Sequence, residues 1–139
     1  MYLTKKLYIW QDKKSKLQIK GLPVRVNPKE IKKIEARAGY WRKANAIHKW
    51  FVDNVQGGID ECHQVYVSRE QLEQLLGLVN DVIENPLLAE ELLPTQSGFF
   101  FGSTEYDQYY HADLKETKKI LEKALKAPKD WDFYYQSSW

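Results

Sequence analysis

A stripe of apolar residues at helical spacing within residues 40–55 constrains the fold of this chain more than any other feature. The stripe follows the i, i+4, i+7 pattern of one buried helix face, at Tyr40, Ala44, Ile47, Phe51 and Val55. Gly57 and Gly58 come directly after it, and glycine ends helices because it adopts positive φ without steric cost. The pattern therefore predicts a helix over residues 40–55 with one face against a core.

Two later segments also carry helix signals. Ser68 and Gln71 have the spacing of a capping box, and an apolar helical face follows them at Leu72, Leu75, Leu76, Val79, Val82 and Ile83. The last predicted helix begins at Ser103 or Thr104, either of which can cap it, and ends before Pro128. Its buried face is predicted at Tyr106, Tyr110, Leu114, Thr117, Leu121 and Ala124.

Strand-favouring residues lie towards both ends of the chain. Runs rich in β-branched and aromatic residues, or alternating in polarity, predict strands over residues 2–10, 17–20, 24–26 and 131–136. The polar residues 11–15 predict a hairpin loop, and residues 29–38 favour a helix. We expect the last strand to join the N-terminal sheet.

These elements predict one α+β domain over residues 1–139, with a three- or four-stranded, mostly antiparallel sheet packed against about three helices. The length of 139 residues and the apolar fraction of 43% suit a single globular core. A lone Cys62, a start without a signal peptide and the lack of a long apolar run predict a reducing cytoplasm and no membrane partner.

The net charge of +2 conceals a strong asymmetry along the chain. Residues 1–50 hold 14 basic and 3 acidic residues, a net of +11, whereas residues 51–139 have a net of −9. The basic residues are spread over several elements, so we expect the two parts to neutralise each other in the fold. Nucleic acid is therefore an unlikely partner on this argument, although a basic face would attract one.

The predicted helix over residues 40–55 carries a second stripe of polar and aromatic residues beside the apolar one. Trp41, Asn45 and His48 could hold a planar ligand through stacking and directional hydrogen bonds, with Arg42 and Lys43 bordering the site. The alternative is that Asn45 and His48 are structural polar residues bonded to backbone at the sheet edge.

A second candidate segment joins glycines and hydroxyl residues at a predicted helix start. It contains Gly98, Gly102, Ser103, Thr104 and Asp107. Backbone N–H groups and the helix dipole at such a start favour a phosphate or carboxylate, although the spacing and the missing Lys exclude a P-loop. We expect this segment and the Trp41 stripe to converge on one concave surface.

Catalytic and metal-binding patterns are absent from the sequence. The candidates are His48, Cys62, His63 and His111, which lack CxxC or HxxxH spacing, and a lone cysteine is usually inert packing. We expect no catalytic residue, no metal and no cofactor, and therefore no enzyme. Aromatic residues reach 14%, which predicts an exposed aromatic patch and, by default, a homodimer.

Three segments resemble a family of small uncharacterised proteins encoded by bacteriophages and prophages. They are YWRKANAIHKWFV at 40–52, LLPTQSGFFFGSTEYDQYY at 92–110 and the aromatic-Ser-Ser-Trp end, and the resemblance covers most of residues 40–139. It implies the cytoplasm of a bacterial host. By analogy of gene context, it also implies a non-catalytic accessory protein that binds a host protein or a small anionic nucleotide-like ligand in counter-defence. The alternatives are a nucleic-acid-binding protein and a small hydrolytic enzyme.

Overall fold

The computed structural model describes residues 1–10, 20–21, 25–98 and 102–138. Over these residues the chain has the predicted α+β fold, with one four-stranded antiparallel sheet packed against helices. The strands are β1 Tyr2–Tyr8, β2 Lys33–Tyr40, β3 Val65–Val67 and β4 Trp131–Gln136. The helices are α1 Asn45–Asn54, α2 Arg69–Glu84, the single-turn α3 Ala89–Leu92 and α4 Gln108–Leu125.

The strand order β2-β1-β4-β3 brings the two ends of the chain together at the centre of the sheet. β1 pairs antiparallel with β2 and with β4, which confirms that residues 131–136 add a strand to the N-terminal sheet. Leu3, Phe133 and Tyr135 are buried on one face of the sheet. The helices cover this face, where Phe51 of α1 stacks on Tyr135 with ring centroids 4.0 Å apart.

The helix expected over residues 29–38 is wrong, because most of this segment belongs to β2. Only a 3₁₀ turn at Pro28–Glu30 is helical, and Ile34, Ala36 and Ala38 alternate with exposed Lys33, Glu35 and Arg37. This period of two places the small apolar side chains on the helical side of the sheet. Pairing with β1 thus overrides the helix preference of alanine, glutamate and lysine.

Two helix starts lie later than predicted. α1 begins at Asn45, and Tyr40 is the exposed last residue of β2 instead of part of the buried stripe. α4 begins at Gln108 with Asp107 as its cap, so neither Ser103 nor Thr104 caps it. Asp107 occupies the cap position because its carboxylate accepts hydrogen bonds from the backbone N–H groups of Tyr109 and Tyr110.

Other local signals are confirmed. Ser68 and Gln71 form the capping box of α2, and Asn85-Pro86 ends that helix. Gly57 and Gly58 follow α1 with φ of +67° and +82°. The long connection after α2 begins with a 3₁₀ turn at Pro86–Leu88 and then α3.

The structure does not describe part of the predicted N-terminal hairpin. The predicted loop 11–15 and the following strand up to Ile19 lie outside the described residues, as do residues 22–24. Arg25 and Val26 belong to no strand. In the portion that the structure describes, no helix combines the length and apolar character needed to cross a bilayer.

Candidate functional site

A cavity of about 280 Å³ lies between the connection from β2 to α1 and the first turns of α4. We refer to it as the α1–α4 cavity. Its walls combine a helix start, two cations, two carboxylates and two tyrosines, at Arg42, Lys43, Ala44, Asn45, Ala46, Ile47, Gly102, Ser103, Asp107, Tyr109, Tyr110, Ala112, Asp113 and Leu114. Six of the ten predicted ligand-binding residues line it, namely Arg42, Lys43, Asn45, Gly102, Ser103 and Asp107.

The start of α1 forms one wall of this cavity and presents backbone donors to it. Ala44 is the residue before the first turn, and its side chain caps nothing. The N–H groups of residues 45–47 have no intrahelical acceptor by geometry, and the described residues supply no other. The positive end of the helix dipole therefore faces the cavity, together with N–H groups that have no acceptor among the described residues.

Arg42 and Lys43 add two cations at the same wall. Both side chains are exposed, and neither has an ion-pair partner within 4 Å among the residues that the structure describes. Lys43 has a φ of +60°, a left-handed conformation that is uncommon for residues other than glycine. This bend turns the chain from β2 into α1 and places both cations next to the helix start.

The opposite wall belongs to α4 and holds two carboxyl groups. The Oδ1 of Asp107 accepts the N–H groups of Tyr109 and Tyr110 at 2.9 and 3.1 Å. Asp113 lies deeper in the wall, where burial, reinforced by the charge of Asp107, raises its pKa to about 6. The ring of Tyr109 is 70% exposed, so it offers an open flat surface beside the cavity.

Asn45 has a structural role at the margin of the cavity. It is 5% exposed, and its Nδ2 donates to the carbonyl of Ser103 at 2.9 Å while its Oδ1 accepts the N–H of Gln96. Both bonds are to backbone groups, as expected if Asn45 is a structural polar residue and not a ligand contact. Asn45 thereby fastens the connection before α4 to the start of α1.

Trp41 lies in the core and has no face available for stacking on a ligand. It is 3% exposed, its ring contacts Phe51, and its Nε1 donates to the hydroxyl of Thr117 at 2.9 Å. Because Trp41 directly follows β2, its side chain packs between the sheet and α4 instead of lying along α1.

His48 is fully buried and also lies away from the cavity walls. Its Nδ1 is 2.7 Å from the hydroxyl of Tyr135, and its Nε2 is 3.1 Å from Oδ2 of Asp60. Burial lowers the pKa of His48, although the bond to Asp60 acts in the opposite direction. Both of these partners are side chains, whereas the structural alternative assumed bonds to backbone.

Two other predicted residues do not line the cavity. Gly98 is exposed, and the carbonyl of Thr104 accepts the hydroxyl of Thr95 at 2.8 Å in the connection between α3 and α4. Ser103 does line it, but its hydroxyl accepts the N–H of Glu105 at 3.0 Å in a local turn. α4 starts at Gln108 and not near Ser103, so the helix start that lines the cavity is that of α1.

Sequence reasoning missed Tyr109 and Asp113, which shape the α4 wall. They are four residues apart and therefore lie on the same side of the helix. This i, i+4 spacing was the available signal, but only the position of α1 shows that this side faces a cavity. The apolar positions 110 and 114 beside them were recognised as core.

Cys62 is exposed, so its interpretation as a packing residue is wrong. Within the described ranges, no three His, Cys, Asp or Glu side chains are grouped so that they could hold a metal ion. No protein-family model, curated protein or solved structure shows a significant match to this chain.

Proposed function

We propose that the protein is a non-catalytic accessory protein that binds a small anionic, nucleotide-like ligand in the α1–α4 cavity. The observation that carries this proposal is the convergence of Arg42, Lys43 and the uncapped start of α1 on one concave surface. Helix starts with free N–H groups bind phosphates and carboxylates, and two adjacent cations strengthen the attraction. An anion here would meet both kinds of donor together.

The opposite wall narrows the class of ligand. Tyr109 provides an exposed ring on which a base could stack, and Asp113 provides an acceptor for hydroxyl or amino groups. The volume of about 280 Å³ lies at the lower edge of the range of about 300–1,000 Å³ for small-molecule sites. A mononucleotide or a similarly small phosphate ester satisfies these features, because it has an anionic end and a planar polar end.

The resemblance to phage-encoded proteins supplies the setting of the proposal. In the cytoplasm of an infected bacterium, a binding protein with such a cavity would act by sequestering a nucleotide signal of the host. Mass spectrometry of small molecules released by denaturing protein purified from infected cells tests this directly. A bound phosphate ester in a stoichiometric amount is the expected result.

Replacing Arg42 by glutamine is expected to weaken binding of the cavity ligand by about tenfold or more, the effect of losing one hydrogen bond to a charged group. Isothermal titration calorimetry with AMP, GMP, cyclic AMP and inorganic phosphate measures the change. The matched control is Lys119→Gln, which removes the same charge from an exposed site on α4 that does not line the cavity.

The two variants separate a local contact from a general charge effect. Equal losses in Arg42→Gln and Lys119→Gln would mean that the anion responds only to net charge. If none of the four probes binds the wild-type protein and no small molecule is released on denaturation, the cavity proposal is wrong.

Asp113→Asn is expected to stabilise the protein at pH 7.5. An acid whose folded pKa lies near 6, above its ordinary 3.8, destabilises the fold once it ionises, so stability falls as the pH rises from 3.8 to 6. Solvent still reaches this half-buried group, which reduces the effect. We expect a rise in melting temperature of about 3 °C, the shift that ~1 kcal/mol gives in a domain of this size.

The same pair of proteins should differ little at pH 4, where Asp113 of the wild type is protonated in the fold. Differential scanning calorimetry at both pH values makes the comparison. A gain that is equal at pH 4 and pH 7.5 would show that asparagine acts through packing and that the carboxyl is not destabilising when ionised.

A further inference from the structure

The face of the sheet that points away from the helices carries rows of tyrosines and cations. On this face β1 contributes Tyr2, Lys6 and Tyr8, and the neighbouring strands add more of both kinds. We call it the tyrosine face and define it by Tyr2, Lys6, Tyr8, Lys33, Arg37, Tyr40, Tyr66 and Tyr134. The predicted exposed aromatic patch is therefore present, with Tyr40 45% and Tyr66 53% exposed.

One half of the tyrosine face is centred on Tyr134 of β4. Its ring meets the ring of Tyr66 edge-on with centroids 5.7 Å apart, and its hydroxyl lies 3.4 Å from that of Tyr8. The ammonium of Lys6 lies 4.3 Å from the centre of the same ring and also donates to the side chain of Gln64. Three neighbouring rings and a cation thus form a continuous surface across three strands.

The other half is centred on Arg37 of β2. Its guanidinium lies 5.2 Å from the ring centre of Tyr2 and 5.8 Å from that of Tyr40. Among the described residues Arg37 has no carboxylate within 4 Å. Thr4 pairs with both Arg37 and Tyr134, so it joins the two halves of the face.

Charge on this face is nearly balanced, with three cations against the two carboxylates Glu35 and Asp132. The three cations Lys6, Lys33 and Arg37 come from the basic first 50 residues, whereas the acidic remainder contributes only Asp132 among the strand positions of the face. Glu35 pairs with Lys33 at 3.1 Å and lies 3.8 Å from Lys6. A net positive charge remains beside open rings.

We propose that the tyrosine face binds single-stranded nucleic acid, with bases stacked on the tyrosines and phosphates at Lys33 and Arg37. The side chain of Lys6 is only 12% exposed, so it supports the rings instead of meeting a phosphate. Open sheets with exposed aromatic rings and interleaved cations bind single strands in this way, largely without sequence preference. Tyrosine and arginine are enriched in protein interfaces whereas lysine is depleted, so a second copy of the chain is the competing occupant that the test includes. The proposal is independent of the cavity on the helical side.

Fluorescence anisotropy with labelled oligothymidylate and oligouridylate of about 12 nucleotides tests the proposal, since such a length covers one binding surface. We expect a Kd of about 10⁻⁵ M at low salt, within the range of sequence-independent binding. Contacts to two phosphates on a single strand predict a fall in affinity of about sevenfold between 50 and 200 mM salt. A duplex of equal length should bind more weakly, because its bases are not free to stack.

Variants assign the binding to this face. Tyr66→Ala should weaken binding at least about fivefold, the lower end of the range for one base on an aromatic ring, while Tyr66→Phe retains it. Tyr109→Ala is the matched control, because Tyr109 is exposed on the helical side. Tyr109→Ala should leave oligonucleotide binding unchanged and weaken AMP binding. Tyr66→Ala should weaken oligonucleotide binding and leave AMP binding unchanged.

Several outcomes would overturn the proposal. They are absence of oligonucleotide binding at low salt, equal affinity for duplex and single strand, and equal losses in Tyr66→Ala and Tyr109→Ala. Sedimentation equilibrium of wild type and Tyr66→Ala tests whether a second copy of the chain occupies the tyrosine face. A wild-type dimer that dissociates in Tyr66→Ala, without oligonucleotide binding, would assign the face to self-association instead.

Discussion

Replacing His48 by leucine is expected to destabilise the protein by about 3 kcal/mol, the combined effect of two lost side-chain hydrogen bonds and an unsatisfied buried hydroxyl. His48 is fully buried, and its imidazole links Tyr135 of β4 to Asp60 in the loop after α1. Leucine fills a similar volume but can bond to neither group. Chemical denaturation monitored by tryptophan fluorescence measures the loss.

The geometry around His48 also assigns its protons. The carboxylate of Asp60 can only accept, so Nε2 of His48 donates to it and Nδ1 accepts from the hydroxyl of Tyr135. Burial raises the pKa of Tyr135, which keeps that hydroxyl protonated as a donor. The neutral imidazole thus has each nitrogen matched to one partner, and protonation would remove the acceptor that Tyr135 needs.

His63→Leu is the matched control for this prediction. His63 is 59% exposed and pairs with Glu61 at 2.6 Å, so its loss should change stability by less than about 0.5 kcal/mol. Similar losses in the two variants would mean that burial and the bonds to Tyr135 and Asp60 contribute little. His48→Gln, which keeps one donor and one acceptor, should recover part of the lost stability.

The pH dependence of stability gives a second test of the same site. Burial lowers the pKa of His48 below its ordinary 6.5, so the unfolded chain binds more protons once the pH falls below 6.5. Stability contributed by the neutral imidazole is therefore present above pH 6.5 and is lost as the pH falls towards the folded pKa. The stability difference between wild type and His48→Leu should shrink over this range.

His48 and Trp41 show why the sequence could not define the whole site. The periodicity of residues 40–55 gives the angle of each side chain around a helix axis but not what lies on that side. The partner of His48 comes from the C-terminal strand, 87 residues away, and the partner of Trp41 is Thr117 on α4. Because of these long-range contacts, Trp41 and His48 make hydrogen bonds within the core, whereas the sequence predicted that they would contact a ligand.

The cations of the site were predicted at its border, but in the wrong element. Arg42 and Lys43 were expected in the first turn of a helix over residues 40–55 and lie instead in the connection from β2 to α1, where they line the cavity together with Gly102 and Ser103. The start of α4 was misplaced by three or four residues, because Ser103, Thr104 and Asp107 are all residue types that favour the cap position. In the fold, Asn45 donates to the carbonyl of Ser103, a long-range contact that the local sequence does not reveal.

The strand β2 was missed for a different physical reason. Its sequence KIEARAGY alternates in polarity, but alanine, glutamate, lysine and arginine all favour helices when no partner strand is considered. Pairing with β1 decides the outcome, and the packing of α4 against β2 requires Gly39. This glycine lies opposite Leu3 in the sheet and directly below Ile120 of α4.

Gly39→Ala is expected to destabilise the protein by about 2 kcal/mol, the typical effect of overpacking a core by one methyl group. A Cβ added at Gly39 would overlap the Cγ2 of Ile120. It would also lie 3.4 Å from the Cβ and the Cδ1 of Ile120. Isoleucine is stiff at χ1, so the clash is relieved by separating α4 from β2 instead of by rotation. The measurement is the free energy of unfolding of the purified variant.

Gly77→Ala provides the matched control, because a Cβ at that position in α2 meets nothing within 4 Å. It should stabilise the protein by up to about 1 kcal/mol through helix propensity alone. If the same substitution lowers the free energy of unfolding at Gly39 and raises it at Gly77, the destabilisation at Gly39 comes from the close approach of α4 and not from the loss of a glycine. Equal signs would contradict this.

A double-mutant cycle of Gly39→Ala with Ile120→Ala isolates the contact. Ile120→Ala removes the methyl groups that the new Cβ would strike, so the two substitutions should be less destabilising together than their sum by at least about 1 kcal/mol. The position of α4 above β2 also affects the width of the α1–α4 cavity, since Asp113 of α4 lines one wall and Arg42, in the connection directly after β2, lines the other. Gly39→Ala should therefore weaken AMP binding as well, and the added Ile120→Ala should restore it, whereas additive losses would mean that the cavity does not depend on this contact.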